Sequence, residues 1–125
     1  MAKEREVFKA FESNIYSLSA DDRNVFVGME DGKVGAVFSA NKKEKFTTEL
    51  TNIPITAVLA DPFDVPGKSL FYAGDQKGNL YVLGEKGEVL DSSKVRDGPI
   101  FAIQPVEAKK IWVYSDKGRS VVEFR

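Results

Sequence analysis

Val25 to Phe38 reads Val-Phe-Val-Gly-Met-Glu-Asp-Gly-Lys-Val-Gly-Ala-Val-Phe, with two apolar runs on either side of Asp31-Gly32. Asp-Gly is a turn dipeptide, because Gly takes positive φ without steric cost and Asp tolerates it. Runs of β-branched and aromatic residues are typical of strands. The stretch therefore predicts a β-hairpin over residues 25–38.

The same hairpin pattern occurs twice more, over residues 71–83 and 111–124, with turn glycines at Gly78 and Gly118. The three turn glycines are 46 and then 40 residues apart. An aromatic residue stands six positions before each of them, and we expect it to pack in the core: Phe26, Tyr72 and Trp112. Four positions before them stand Gly28, Gly74 and Tyr114.

A short apolar segment precedes each hairpin and keeps the same spacing along the chain. These segments run over residues 15–18, 55–58 and 100–103. Their third residue is small in every copy, namely Ser17, Ala57 and Ala102. Repeats of about 40 residues that contain strand hairpins are the signature of propeller blades, whose innermost strands crowd around an axis. We therefore predict an all-β chain, a β-propeller arc of three four-stranded blades.

Residues 4–11 alternate charged and apolar side chains and predict a further strand. An amphipathic helix is the alternative, since Val7 and Phe11 are four positions apart. The third hairpin has no outer strand after it, so the strand over 4–11 can close a blade. Three blades cannot form a ring, because known propellers have roughly four to eight. We predict one domain over 1–125 that forms a homodimer with a six-bladed ring; a fragment of a longer propeller is the alternative.

Composition excludes several classes of protein. The 125 residues are 42% hydrophobic and 30% charged, which is ordinary for a folded domain. The net charge of −1 offers no general attraction to nucleic acid or to an anionic membrane surface. The N-terminal residues do not read as a signal peptide and no apolar run is long enough for a membrane span, so we expect a cytoplasmic protein.

Candidate catalytic residues are absent from the sequence. The chain has no Cys and no His, which removes the usual nucleophile, general base and metal ligand. The carboxylate pairs Asp21-Asp22 and Asp61/Asp64 lie in turn-rich links, where Asp usually caps its own backbone. We expect no enzyme activity, no metal and no cofactor. An axial small-molecule or enzymatic site is the alternative, with Thr56 and Gln104 as the obvious polar residues on inner strands.

The three hairpins resemble the quinoprotein-like propeller repeat, whose blades commonly read apolar-aromatic-Val-Gly-x-x-Asp-Gly-x-apolar-aromatic-Ala. Residues 25–38 follow that pattern, with Gly35 where an aromatic residue is usual. The second copy has Lys77 in place of Asp, and the third has Tyr114 in the Gly column. The WD-repeat family is similar but matches less well, since its Trp-Asp and Gly-His dipeptides are missing. The resemblance implies the architecture and does not imply a quinone cofactor.

Without catalytic chemistry, the sequence favours a non-enzymatic protein–protein interaction scaffold. In a propeller, the hairpin turns share one face with the links that lead from each outer strand to the next inner strand. Asn14 and Asn52 belong to that face. The candidate partner-binding residues on it are Glu30, Asp31, Gln76, Lys77, Asp116 and Lys117. The sequence does not identify the protein partner.

A long link over residues 60–68 joins the inner strand of the second repeat to its hairpin. It contains two prolines and a glycine, which exclude regular structure, and it carries the aromatic residue Phe63. We expect the link on the face opposite the hairpin turns. Phe63 either packs under its own loop or is a further candidate partner-binding residue.

Overall fold

A computed structural model describes residues 11, 13–63 and 70–123 of the chain. Within those ranges the chain forms eleven β-strands and no helix. The strands are β1 (Ile15–Ala20), β2 (Asn24–Met29), β3 (Lys33–Phe38), β4 (Glu44–Glu49), β5 (Ile55–Ala60), β6 (Phe71–Asp75), β7 (Asn79–Leu83), β8 (Val89–Lys94), β9 (Ile100–Glu107), β10 (Lys110–Ser115) and β11 (Gly118–Glu123).

The strands form three antiparallel sheets in which neighbours in sequence are neighbours in space. The first sheet has the order β1-β2-β3-β4, the second β5-β6-β7-β8 and the third β9-β10-β11. The all-β prediction and the three hairpins are confirmed. The strand expected over residues 4–11 lies outside the described residues, apart from Phe11.

Two strands extend further than the sequence indicated. β8 runs on past its apolar residues Val89 and Leu90 to Lys94, and every residue of β8 is exposed. A polar sequence is compatible with an outer strand whose side chains all face water. β9 continues through Pro105 to Glu107 and pairs only with β10. Proline has no backbone N–H to donate to a strand ladder, but an edge strand such as β9 tolerates it because one of its sides has no strand to bond.

The core lies between the sheets, in two layers. At the first junction, between the first and second sheets, the rings of Phe26 and Phe71 lie 4.9 Å apart and Phe46 packs edge-on to Phe71 at 5.4 Å. At the second junction, between the second and third sheets, Tyr72 and Leu80 pack with Ile100 and other apolar residues. The first and second sheets thus each bury an aromatic residue, Phe26 or Tyr72, against the sheet that follows.

Close approach of an isoleucine explains the glycine column and the small residues of the inner strands. A Cβ on Gly28 would lie 2.5 Å from Ile55 Cγ2, and a Cβ on Gly74 would lie 2.7 Å from Ile100. Ser17 pairs with Gly28, and Ala57 pairs with Gly74. These two small pairs therefore make room for the first residue of the next inner strand. Crowding of the inner strands at an axis stays a prediction.

The third hairpin differs from the first two by one residue of register. In the first two sheets the residue opposite the glycine is Val34 or Leu80, two positions after the turn glycine. In the third sheet a two-residue turn pairs Ser115 with Gly118 and places Arg119 opposite Tyr114. A shift of one residue moves every side chain of a strand to the other side of its sheet. The alignment of the three copies on their turn glycines is therefore wrong for β11.

Trp112 corrects a second expectation. Phe26 and Tyr72 are fully buried, as predicted for core residues. Trp112 is only half-buried, and the guanidinium carbon of Arg119 lies 4.4 Å above its ring. Its side of the third sheet faces away from the second sheet. The indole lacks a core environment because the described residues place no further sheet against it.

Candidate functional site

The hairpin turns and the links between sheets form one continuous surface, which we call the hairpin-turn face. The link after β4 reaches the first turn, where the amides of Leu50 and Thr51 donate to Gly32 O at 3.1 and 3.3 Å. The link after β8 reaches the second turn, where Val95 N donates to Gly78 O at 2.9 Å. These backbone hydrogen bonds hold each link on the turn of the sheet that precedes it.

The candidate residues of this face lie in three separate turns and are all exposed: Glu30, Asp31, Gln76, Lys77, Asp116 and Lys117. Asn14 Nδ2 donates to Glu30 Oε2 at 2.7 Å, so the structure brings these two residues together. Asp31 Oδ2 lies 3.5 Å from Lys33 Nζ. Asn52 is exposed in the link that follows β4. The candidates thus come from three separate turns and do not converge on one cleft, and their role in partner binding stays a prediction.

A cleft on this face was missed by the sequence analysis. It has a volume of about 350 Å³ and is lined by Lys94, Val95, Arg96, Asp97 and Lys117. Lys94 Nζ lies 2.9 Å from Asp97 Oδ1, and with Lys117 it holds the pKa of the Asp97 carboxyl below its usual range. The sequence has no motif that marks the cleft, because its residues come from the end of β8, the link after it and the third turn. The mixed charges favour a polar partner over an apolar one.

Asp75 anchors the second turn from below. Its buried carboxylate accepts hydrogen bonds from the amides of Lys77 and Asn79 at 2.9 Å each, from Asn79 Nδ2 at 2.8 Å and from the Tyr81 hydroxyl at 3.0 Å. Burial and the nearby Asp75 charge raise the pKa of Tyr81 from 10.0 to about 12. This network gives the turn that carries Gln76 and Lys77 a fixed geometry.

The opposite face carries the turn between β1 and β2 and the start of the link that follows β5, residues 61–63. Asp21 Oδ1 accepts from the amides of Arg23 and Asn24, and Asp61 Oδ1 accepts from Phe63 N at 2.9 Å. The capping role predicted for these two aspartates is confirmed, and Asp64 lies outside the described residues. Phe63 is 40% exposed. A pocket of about 370 Å³ lies between the two segments and is lined by Ala20, Asp21, Asp22, Arg23, Asp61 and Pro62.

Asp61 also contacts the core from this face. The Tyr72 hydroxyl lies 3.2 Å from Asp61 Oδ2, and both residues are buried. Burial, and then the charge of Asp61, raise the pKa of the Tyr72 phenol. A buried pair of this kind ties the start of the long link to β6, so Phe63 is presented on an anchored segment.

The inner strands offer little chemistry to an axial ligand. Thr56 Oγ1 lies 2.5 Å from Ile100 O and 3.3 Å from Gly74 O, so its hydroxyl hydrogen-bonds backbone carbonyls at the second junction. Gln104 accepts from the Tyr114 hydroxyl at 3.1 Å. Among the residues that the structure describes, no three His, Cys, Asp or Glu side chains are grouped to hold a metal ion. The same part of the chain contains no helix that is long and apolar enough to cross a membrane.

In the part of the chain that the structure describes, the arc formed by the sheets has two open ends. The trailing end is the free side of the third sheet, with Trp112, Tyr114, Arg119 and the 47% exposed Val121. The leading end is the free side of the first sheet, where Leu18 is 55% exposed. The residues equivalent to Leu18 are Val58 and Ile103, and both are buried at the internal junctions. Each end thus exposes positions that are buried elsewhere in the repeat.

Part of the leading end is covered. Val27, Met29 and Val37 are buried there, and the Phe11 ring lies over Gly35. Among the described residues, the exposed part of this end includes Tyr16 and Leu18 of β1 and a pocket of about 550 Å³. The pocket is lined by Phe11, Ser13, Met29, Asp31, Lys33, Glu44 and Thr47.

Comparison with solved structures shows what this arrangement is similar to. The crystal structure of a computationally designed protein, Ika8, matches with a TM-score of 0.76 and 19% identity, over 93% of this chain and 35% of that chain. A chain in the crystal structure of the mitotic checkpoint complex matches with a TM-score of 0.76 and 9% identity, over 90% of this chain and 36% of that chain. This chain therefore has a propeller-like fold and spans about a third of the length of these neighbours.

No family model and no curated protein matches the sequence. The likeness to the quinoprotein-like repeat stays a prediction.

Proposed function

We propose that this protein is a non-enzymatic protein-interaction scaffold, built as a six-bladed propeller ring from two copies of the chain. The observation that carries the proposal is the matched exposure at the two ends of the arc. Trp112 is only half-buried and Leu18 is exposed, whereas the equivalent residues Phe26, Tyr72, Val58 and Ile103 are buried at the internal junctions. Stacking the trailing end of one copy on the leading end of another covers both sets.

Ring closure would also pair the outer edge of the third sheet with a further strand. That sheet has three described strands, and its outer edge at β11 is open, whereas the first two sheets have four strands each. An open edge is a site for strand addition. Residues 4–11 of a second copy would lie next to that edge in a closed ring, because they precede the inner strand of the neighbouring first sheet.

The hairpin-turn face is the surface that we assign to protein partners. It presents exposed polar residues from three turns on a rigid frame, including Gln76 and Lys77 above the Asp75 network. In a ring of two copies each turn occurs twice, so the face would bind in a repeated manner. A multivalent partner gains affinity from such a repeat without new contacts.

Light scattering on the purified full chain tests the ring. We expect twice the mass of the 13.9 kDa chain. Leu18→Glu at the leading end should yield a folded monomer. Leu90→Glu is the matched control, since Leu90 is 57% exposed on the outer strand β8 and away from both ends, and it should remain a dimer.

Removal of residues 1–10 is the second arm of the test. It should also abolish the dimer, or leave open chains that aggregate through the β11 edge. A compact monomer of the intact chain would contradict the ring and would favour the alternative that these blades belong to a longer propeller. A truncated chain that stays dimeric would contradict the role of residues 4–11.

A further inference from the structure

We propose that Arg119 of one copy specifies the closing junction by inserting into the pocket at the leading end of a second copy and pairing with Asp31 of that copy. The inference rests on the proposed ring and names the contact that would determine its register. It would make the closing junction chemically different from the two internal junctions, whose buried cores are apolar.

The trailing end cannot repeat an internal junction. At the internal junctions Gly28 and Gly74 leave room for Ile55 and Ile100, which approach to within 2.8 Å of the Cβ positions that the glycines lack. The trailing end carries Tyr114 at that position. Ile15 of a second copy therefore cannot approach as closely as Ile55 and Ile100 do, and the closing junction must be wider.

Arg119 has the length that a wider junction requires. It lies opposite Tyr114, in the place that Val34 and Leu80 occupy opposite the two glycines. Val34 and Leu80 are buried against the next sheet, whereas Arg119 is exposed. Two larger side chains thus replace two smaller ones at the same end of the sheet, and the two-residue turn of the third hairpin is what places Arg119 on this side.

The guanidinium is held in position before any partner arrives. Its carbon lies 4.4 Å from the centroid of the Trp112 ring, within the range of a cation–π interaction. A guanidinium fixed on an indole has lost part of its side-chain freedom already, which lowers the entropy cost of a later contact. Trp112 would then act as a platform and would be covered on ring closure.

The leading end has space and charge to match. Its pocket of about 550 Å³ contains Asp31 next to Phe11 and Met29. Asp31 belongs to the first hairpin turn, and Arg119 follows the third, so both lie at the hairpin-turn end of their sheets. Lys33 lies 3.5 Å from Asp31, and Glu44 adds a second carboxylate at the far end of the pocket, which leaves an acidic balance.

A charge-swap experiment tests the pairing by measuring the monomer–dimer equilibrium by sedimentation. Arg119→Glu alone and Asp31→Lys alone should each weaken the dimer by about tenfold or more, since like charges then face each other at the junction. The double variant should recover to within about threefold of the wild-type dissociation constant, because the opposite charges are restored in exchanged positions. Asp91→Lys makes the same charge change on the exposed outer strand β8, away from both ends of the arc, and it should leave the dimer nearly unchanged.

Neutral variants guard against unfolding, which circular dichroism would reveal. Arg119→Gln and Asp31→Asn should weaken the dimer in the same direction as the reversals. If the single charge-reversal variants dimerise as tightly as wild type, or if the double variant does not recover wild-type affinity, the pairing is overturned and the ring is left intact. A wild-type chain that is monomeric at every concentration overturns the ring, and the pairing with it.

Discussion

The ring of Phe11 lies over Gly35, with its Cε1 and Cζ atoms 2.3 and 2.6 Å from the position that a Cβ would take. In the second sheet the residue equivalent to Gly35 is Tyr81, and the residue equivalent to Phe11 is Thr51. Thr51 lies near the Tyr81 phenol and lowers its pKa, against the larger effects of burial and Asp75. Both sheets therefore have an aromatic ring at this site. In the second sheet the ring belongs to Tyr81 of strand β7, and in the first it belongs to Phe11, which precedes β1.

This exchange predicts a pair of compensating substitutions. Phe11→Thr should lower the free energy of unfolding by about 1–3 kcal/mol, less than the loss of a fully buried ring because Phe11 is half-buried. Gly35→Tyr alone should also destabilise, because the new side chain would collide with Phe11. The double variant reproduces the Tyr81–Thr51 arrangement, and urea unfolding should show it to be more stable than either single variant. Additive losses would contradict the equivalence of the two sites.

Asp75 predicts a large effect from a single turn residue. Asp75→Ala would leave the donors of Lys77, Asn79 and Tyr81 without their acceptor, at a cost of about 3 kcal/mol in the free energy of unfolding. Asp116→Ala, in the exposed turn of the third hairpin, is the control and should stay within about 0.5 kcal/mol of wild type. Urea unfolding measures both. Equal effects would show that the network does not stabilise its turn.

Much of the fold was predictable because turn chemistry and strand period act locally. Asp31-Gly32 and the apolar runs around it specify a hairpin wherever the rest of the chain lies. The departures arise from contacts that are distant in sequence. Gly35 lacks its aromatic residue because Phe11 supplies it, and Gly28 is small because Ile55 approaches it. Neither reason is visible within a single repeat.

The site was less predictable, for two physical reasons. The turn of the third hairpin is one residue shorter than the first two, so each side chain of β11 lies on the opposite side of the sheet from the one expected. The position of Gly118 in the sequence does not reveal this shift. The cleft beside Arg96 forms where the link after β8 meets the third turn, so its residues come from two segments with no shared pattern. The exposed candidates Glu30, Asp31 and Lys77 were easier, because turn residues on a hairpin face solvent by construction.

Trp112 and Phe26 occupy equivalent positions and should differ in their contribution to stability. Phe26→Ala removes a fully buried ring between Phe46 and Phe71 and should cost about 3–5 kcal/mol. At concentrations where the chain is monomeric, Trp112→Ala should cost clearly less, because the indole is half-buried and the described residues place no neighbouring sheet against it. Urea unfolding at several concentrations would make the comparison. A loss of about 3–5 kcal/mol for Trp112→Ala in the monomer would restore its assignment to the core.

Tyr81 predicts a loss of stability in alkali. Its pKa is raised from 10.0 to about 12 in the folded chain, so between these values the unfolded chain has lost the phenol proton and the folded chain retains it. Folding then binds a proton, and the free energy of unfolding falls as the pH rises through this window. The Tyr72 phenol is shifted in the same direction.

Tyr81→Phe isolates this contribution. The variant lacks the ionisable group, so its stability should fall less steeply than that of the wild type between pH 10 and about 12. Urea midpoints measured across that range, together with phenolate absorbance of the folded chain, provide the comparison. Identical slopes for the two proteins would mean that the Tyr81 phenol ionises as readily in the folded chain as in the unfolded one.

Phe63 separates a structural role from a binding role on the face opposite the hairpin turns. Its amide is held by Asp61, which is itself buried against Tyr72, while its ring is 40% exposed. Truncation of an exposed ring on an anchored segment removes little packing, so Phe63→Ala should leave the melting temperature within about two degrees of wild type. The same change should weaken binding of a protein partner that docks on this face, because the segment is already ordered and the ring is offered to solvent. Asp61→Ala is the contrasting variant, since it leaves the buried Tyr72 hydroxyl without this acceptor and should lower the melting temperature. If Phe63→Ala lowers the melting temperature as much as Asp61→Ala and partner binding is unchanged, the ring packs under its own loop and has no part in recognition.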